Sequence, residues 1–283
     1  MSKKIVFATC RTQPDFQPGD AILAETLRTR GHQVAPAPWN GPQAVFAGAD
    51  AIILRSTWDY HRTPEDFADW LSGFAADRRM FNPASLARWN MSKRYLLELA
   101  EKGAVMPPLR RTEPSAESIA AAMEELGLDQ AVVKPEYGAT GSGLSLVTRE
   151  DEADLAAAAV KLGGAGFVQA LIPEIRTAGE TSFIFIAGEF AHAVTKRPKS
   201  GEILCQSDHG GSVELTEPTA AQIDAARRIL AMIPANPLYA RVDAVLADGA
   251  MQLMEVELIE PELFFTYAPG SADRFAAALL ERL

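Results

Sequence analysis

The 283-residue sequence predicts an α/β opening followed by an α+β remainder, and three observations carry that reading. Near the start, short apolar runs alternate with an amphipathic stretch in a βαβ order. In the middle, two apolar runs flank a loop with three glycines. Toward the end, runs of strand-like residues are joined by tight-turn signals.

The elements follow in order. Residues 4–8 (KIVFA) form a first strand. Asp20 is placed to cap a helix running to Arg30, which Gly31 stops. His32–Val34 and Ala51–Leu54 supply two further strands of a parallel sheet. Pro64, after Thr63, opens a helix reaching Ala76, since proline lacks only an N–H that the first turn leaves unused. Asn82-Pro83 marks a connection, Ser92 caps a helix ending before Gly103, and Pro107-Pro108 breaks the chain. Ala131–Lys134 and Leu144–Val147 read as strands, and Thr148 as the cap of an Ala-rich helix to Leu162. Phe167–Leu171, Thr181–Ala187 and Phe190–Thr195 are strands, the last two joined at Ala187-Gly188-Glu189. Thr219 and Gln222 have capping-box spacing and open a helix to Met232. Tyr239–Ala247 and Met251–Leu258 form a hairpin around Asp248-Gly249.

Composition bounds the function. With 48% hydrophobic and 23% charged residues the chain has material for about two domains, or three small ones. Its 27 Lys+Arg against 37 Asp+Glu give a net charge of −10. That sign argues against a general nucleic-acid binder and against docking on an anionic membrane. A few buried cations can still hold an anionic small molecule. The opening MSKKIVFATC carries too short an apolar run for a signal peptide. The longest run, Leu155–Val160, is far below the ~20 residues of a membrane span. Cys10 and Cys205 lie far apart, and the four histidines lack metal-ligand spacing. A cytoplasmic protein is the expectation.

Two segments carry chemistry. VVKPEYGATGSGLSLV places Lys134 at the end of a strand, followed by Gly138, Gly141 and Gly143. Glycines let backbone amides approach a phosphate, and a lysine adds a point charge. Strands on both sides make it neither a Walker A motif nor a Rossmann fingerprint; a flap over phosphates or a plain glycine-rich hairpin both fit. The second segment carries Arg241 and Asp243 on one strand, Glu255 and Glu257 on the next. Glu255 and Glu257 share a face, about 6.6 Å apart at ~3.3 Å per residue. Asp243 joins them only if the loop has three residues or the ladder carries a bulge; a regular two-residue turn pairs it with Met254. Such carboxylates either bind a hard divalent cation or face water at alternate positions.

In their order, five segments resemble the ATP-grasp superfamily over residues 82–265: NMSKRYLLELAEKGAVMPP, VVKPEYGATGSG, FVQALIPEIRTAGETSFIFI, KRPKSGEILCQSDHGG, and the RVD and EVE strands. The resemblance implies an ATP-grasp fold with a Rossmann-like pre-domain at 1–81, a flap-bearing subdomain at 82–166 and a metal-bearing subdomain at 167–283. It implies that Lys93 and Lys134 bind ATP phosphates under a flap of Gly138, Thr140, Gly141, Ser142 and Gly143. Gln169 and the backbone of Ala170, Leu171 and Ile172 would hold adenine, and Glu180 the ribose, with Glu174 as the alternative. Lys196, or else Arg197, would face phosphate, the alternative being that Lys196 belongs to a solvated basic cluster with Arg197 and Lys199. Asp243, Glu255 and Glu257 would bind Mg²⁺, two ions in number, with Mn²⁺ as a substitute. Most of the superfamily has Asn where this chain has Glu257. RSTWDYH, NPASLARWNMSKRYLLELA and EVELIEPELFF further resemble the bacterial branch that includes a D-cycloserine-forming cyclo-ligase.

The expected activity is therefore that of an ADP-forming, ATP- and Mg²⁺-dependent carboxylate–amine ligase acting on small molecules, as an open amide or a ring closure. Arg241 and Lys196 are its candidate catalytic residues, Arg241 steadying an acyl phosphate or a tetrahedral oxyanion. No general base is evident. Ligands of open parallel sheets bind beyond the strand ends, so Arg55, Trp58 and Tyr60 are substrate candidates, with Trp58 equally suited to packing under a helix. His209, Gly210 and Gly211 are loop candidates. A kinase on the same scaffold, or a non-catalytic nucleotide-binding module, is the alternative, and a homodimer or tetramer fits the family. The flap reading predicts that amide exchange across residues 136–143 slows when MgATP is added; equal exchange with and without nucleotide contradicts a lid.

Overall fold

The computed structural model describes residues 1–74, 79–139, 141–199, 210–247 and 249–283. Its first sheet is parallel, in the order β2-β1-β3-β4, from β1 (Lys4–Thr9), β2 (Gln33–Pro38), β3 (Ala51–Leu54) and β4 (Met80–Phe81). The central strands are buried on both faces, as a parallel sheet covered by helices requires. Helix α1 (Pro18–Thr29) covers one face, and α2 (Ala44–Ala47) and α3 (Pro64–Ser72) the other. Pro18 and Pro64 occupy first-turn positions, and Gly31 follows α1 at φ +88°, as a helix stop should. Asp20 is not the cap of α1: Gln17 is, and Asp20 lies within the first turn, buried against Arg55 at 2.6 Å. A buried guanidinium needs a carboxylate more than an exposed helix end needs a cap. The expected end of α3 at Ala76 lies outside the described residues.

Helices α4 (Ala84–Met91) and α5 (Tyr95–Glu101) lead out of that sheet. The sequence reading gave only one helix here, capped by Ser92; Ser92 instead ends α4, and α5 starts three residues later. The second sheet, antiparallel in the order β5-β8-β6-β7, is built from β5 (Leu109–Thr112), β6 (Gln130–Pro135), β7 (Ser145–Thr148) and β8 (Gly166–Ala170). Helices α6 (Ala116–Glu125) and α7 (Glu152–Leu162) cover one face. Asp151, not Thr148, caps α7, accepting from the N–H groups of Ala153 and Asp154. Strand β5 and helix α6 escaped the sequence reading.

The third sheet is antiparallel in the order β11-β10-β9-β12-β13, from β9 (Glu180–Ile186), β10 (Glu189–Arg197), β11 (Ser212–Thr216), β12 (Tyr239–Ala247) and β13 (Ala250–Glu257). Helix α8 (Ala220–Leu230) packs on one face and opens with the Thr219–Gln222 capping box foreseen from sequence. Helix α9 (Gly270–Leu280), not foreseen, returns to α1. Ile184, Ile186, Val194 and Tyr239 of the third sheet share one core with Phe7, Leu23 and Ile53 of the first. Among the described residues, no helix is long and apolar enough to cross a membrane.

Asn82, after β4, is fully buried and joins the first sheet to the third. Its amide donates to the carbonyls of Tyr239 and Leu258 at 2.8 Å each and accepts from the N–H of Leu238 at 2.6 Å. Asn82→Ala strands those backbone groups and is expected to cost about 2–4 kcal/mol in chemical denaturation; a loss under about 0.5 kcal/mol contradicts the joint.

Candidate active site

Strand alternation places the functional side chains. On β6, Ala131 and Val133 join the core under α6 and α7, so Val132 and Lys134 face the other way, onto a cleft of about 560 Å³. Val132 pairs with Gln169 of β8, which lines the same cleft. On the third sheet, Phe183, Phe185, Ala240, Val242 and Val256 pack toward α8 and α5. Glu180, Lys196, Arg241, Asp243, Glu255 and Glu257 therefore line the cleft from the opposite wall. Gly179 turns the chain into Glu180 at φ +78°, where a Cβ would meet the carbonyl of Lys196 at 2.4 Å; only glycine fits.

The hairpin register resolves the alternative left by the sequence. Ala247 pairs with Ala250, but the ladder shifts between Asp243 and Ala244, so Asp243 pairs with Glu255 and Arg241 with Glu257. The expected bulge is present, with Met254 as the extra residue, and it turns the acids to one face.

Ion pairs run through the cleft. Arg241 grips Asp243 at 2.9–3.2 Å and also bonds Glu257. Lys196 lies 2.6 Å from Glu180 and 3.2 Å from Asp243. Lys93 lies 2.6 Å from Glu255 and donates to the Gly138 carbonyl at 3.2 Å. Burial opposes the ionisation of Asp243, but Arg241 and Lys196 outweigh it and hold the carboxyl down to about 2. Burial likewise opposes Glu255, which Lys93 and Lys134 bring below its usual range. Burial raises Glu257 to about 7, Arg241 compensating only in part against Asp243 and Glu255. Arg197 turns to the exposed edge and pairs with Glu214, so Lys196, not Arg197, reaches the cleft. Among the described residues, no group of three histidine, cysteine or acidic side chains forms a ready-made metal cage. Magnesium bound mainly through substrate phosphates needs only one or two carboxylates, and Asp243, Glu255 and Glu257 share one wall with oxygen donors of that type.

Lys134 differs from the other cations. It is 8% exposed, and no carboxylate among the described residues pairs with it. Burial, reinforced by Lys93, lowers its ammonium to about 8. Above it, Gly138, Gly141 and Ser142 line the cleft; Gly143 sits at φ +78° behind them against Pro135, and Thr140 lies outside the described residues. Ala170, Leu171 and Ile172 line the cleft next to Gln169. Glu180 lies on the cleft, whereas its alternative Glu174 does not, although Ile175 of the same 3₁₀ turn does.

The substrate candidates divide. Trp58 and Tyr60 line the cleft, Trp58 donating its indole N–H to the Glu260 carbonyl at 3.0 Å. Arg55 does not: it is 4% exposed, paired with Asp20 and donating to the Pro261 carbonyl. Gly210 and Gly211 do not line the cleft, and His209 lies outside the described residues. The sequence reading missed Glu260, which is buried and lines the cleft beside Trp58 and Tyr60. Burial, then Glu257 and Glu255, hold its carboxyl well above the usual range. A carboxylate before Pro261 in the apolar run Leu258–Phe265 was the available signal.

A parallel pre-domain, a strand–glycine loop–strand flap and a facing antiparallel sheet with lysines and acids across one cleft make up the ATP-grasp fold, which solved structures share. Residues 5–82 match the model of the family described as D-cycloserine synthetase DcsG, N-terminal domain. Over 280 residues the chain is 28% identical to the cycloserine biosynthesis protein DcsG of Streptomyces lavendulae, covering 92% of each. The crystal structure of D-cycloserine synthetase DcsG superposes with a TM-score of 0.85 at 24% identity, covering 99% of both chains. D-alanine–D-alanine ligase from Bacillus anthracis, complexed with ATP, superposes with a TM-score of 0.69 at 16% identity over 99% of this chain and 97% of that one. These likenesses bear out the expected fold and the resemblance to the D-cycloserine branch.

Lys134 also carries a stability consequence. Its ammonium titrates lower in the folded chain than in the unfolded one, so folding is favoured most above the unfolded value of about 10.5 and loses support as pH falls through about 8. Lys134→Met is therefore expected to raise the melting temperature of the nucleotide-free protein at pH 7, with a smaller gain at pH 9.5. A variant melting lower than wild type at pH 7 contradicts the unpaired buried cation.

Proposed function

We propose that the chain is an ATP- and Mg²⁺-dependent ligase that activates a small carboxylate, an amino acid or derivative, as an acyl phosphate for attack by an amine. The observation that carries this reading is Lys134 on the flap sheet facing Glu255, Glu257 and Asp243 across one cleft. In this reading the substrate carboxylate attacks the γ-phosphorus of ATP in line, and ADP leaves. The amine then attacks the acyl carbon, and phosphate departs with the C–O electron pair. An amine in the same molecule would close a ring; the DcsG relatives are named for cycloserine biosynthesis and D-cycloserine synthesis.

The residues take the following roles in the proposal. Lys93, Lys134 and Lys196 bind phosphate oxygens as point charges. Gly138, Thr140, Gly141, Ser142 and Gly143 cover the phosphates with backbone N–H groups. Gln169 and Ala170 to Ile172 hold the base, and Glu180 the ribose. Asp243, Glu255 and Glu257 would hold Mg²⁺, which when bound neutralises charge on the phosphates; two ions are proposed, with Mn²⁺ as a substitute. Arg241 steadies the oxyanion of the acyl centre. In the structure Lys93, Lys196 and Arg241 are matched to the cleft's own acids, so at these three binding exchanges carboxylate for phosphate partners, while Lys134 gains its first partner. Residues 1–81 serve the substrate, 82–166 the flap and 167–283 the metal. Cytoplasmic location and a homodimer or tetramer complete the proposal and rest on the family resemblance alone.

The test is ADP release from MgATP in the presence of amino acids and amines, with the product identified by mass. Glu255→Gln is expected to lower turnover about 100- to 1000-fold. A stable phosphorylated product without an amide identifies a kinase instead, and nucleotide binding without turnover across the whole panel identifies a binding module.

A further inference from the structure

Among the charged side chains of the cleft, most are matched in pairs: Lys93 with Glu255, Lys196 with Glu180 and Asp243, and Arg241 with Asp243 and Glu257. Two groups stand outside that pattern. Lys134 is a cation with no acid beside it, and the ligase reading assigns it to phosphate. Glu260 is the complementary case. It is 8% exposed, it lines the cleft, and among the described residues no side chain donates to its carboxyl. Lys93, the cation that acts on it electrostatically, is ion-paired to Glu255 instead; a buried acid with no cation in contact is costly to hold, and its place in the cleft points to a ligand that supplies one.

The segment carrying it is built to hold that side chain in place. Four consecutive carbonyls each accept a side-chain donor: Ile259 from the Tyr239 hydroxyl at 2.9 Å, Glu260 from Trp58 at 3.0 Å, Pro261 from Arg55 at 3.0 Å and Glu262 from Arg241 at 3.3 Å. Two of those donors, Tyr239 and Arg241, sit on β12, and two, Arg55 and Trp58, in the segment that follows β3. Trp58 and Tyr60 line the cleft at the same end. An aromatic wall beside a carboxylate suits an organic ammonium, which gains from the ring faces as well as from the charge. A hydrated divalent cation instead prefers a set of oxygens.

We propose that Glu260 recognises an ammonium group on the substrate, so that the carboxylate activated in this cleft belongs to an amine-bearing molecule. The proposal rests on the ligase reading above. It makes Arg55 a positioning residue, holding the backbone of Pro261 rather than the substrate.

The experiment is calorimetric titration of matched probes into the complex with Mg²⁺ and the non-hydrolysable AMP-PNP. Alanine, serine and β-alanine, of either hand where chiral, are compared with lactate, glycerate and 3-hydroxypropionate. At least one amine is expected to bind wild type more tightly than its hydroxy partner. Glu260→Gln is expected to weaken that amine about 10- to 100-fold while changing its hydroxy partner by less than about twofold. Glu260→Asp is expected to keep the preference at lower affinity. The proposal is overturned if no amine is preferred by wild type, if Glu260→Gln weakens both members equally, or if Glu260→Asp loses the preference. It is also overturned if Glu260→Gln alters the Mg²⁺ dependence of AMP-PNP binding, which would make the residue a metal ligand. AMP-PNP binding to wild type is measured separately; its absence overturns the ligase reading itself, whereas intact nucleotide binding with indifference to the amine overturns only the role of Glu260.

Discussion

One extra residue in the β12–β13 ladder is the constraint on which the cleft depends. Side chains on paired strands alternate between faces, so a one-residue slip moves every functional group to the opposite side. Without the shift between Asp243 and Ala244, Asp243 would pair with Met254, and the acids of the two strands would point apart. With it, Arg241 and Asp243 share a face with Glu255 and Glu257, while Val242 and Val256 stay in the core beneath. The same pleat therefore builds a hydrophobic layer under α8 and a charged floor above it.

That charged floor survives burial because it is nearly self-neutralising. A guanidinium bridging Asp243 and Glu257, and an ammonium bridging Glu180 and the same Asp243, leave few isolated charges in a region where an isolated charge is expensive. Glu257 shows what incomplete compensation does. With Arg241 shared between it and Asp243, its carboxyl rises to about 7, while Asp243, gripped by Arg241 and Lys196, falls to about 2. Two carboxylates on adjacent strands thus differ in proton affinity because one has two cations and the other a share of one.

Much of the architecture was legible in the sequence because it follows local rules. The βαβ opening, the flap strands, the Thr219–Gln222 box and the terminal hairpin were each written in periodicity or turn chemistry. The bulge could be inferred because only one register gathers the acids. Other features depended on distant partners. Asp20 reads as a helix cap until Arg55, thirty-five residues away, is seen to need it. Arg55 reads as a substrate ligand for the same reason, since its two partners lie on α1 and after β13. Strand β5 was missed because its LRRT has no apolar alternation, and it exists only by pairing with β8. Glu260 was missed because its one local sign, a carboxylate in the apolar run Leu258–Phe265, does not reveal that the side chain is buried without a side-chain donor among the described residues.

The stretch from Ile259 to Glu262 has every carbonyl anchored by a donor from elsewhere, which separates the path of the main chain from the identity of the residues along it. Ile259 is committed to the interior, but among the described residues the carboxyl at position 260 bonds only its own backbone, and the four anchors of the stretch do not use it. Evolution can therefore rewrite that position, from acid to amide to apolar, without refolding the scaffold around it. A fold that fixes the rail and leaves the passenger free can diversify what it admits while the charged wall opposite remains unchanged.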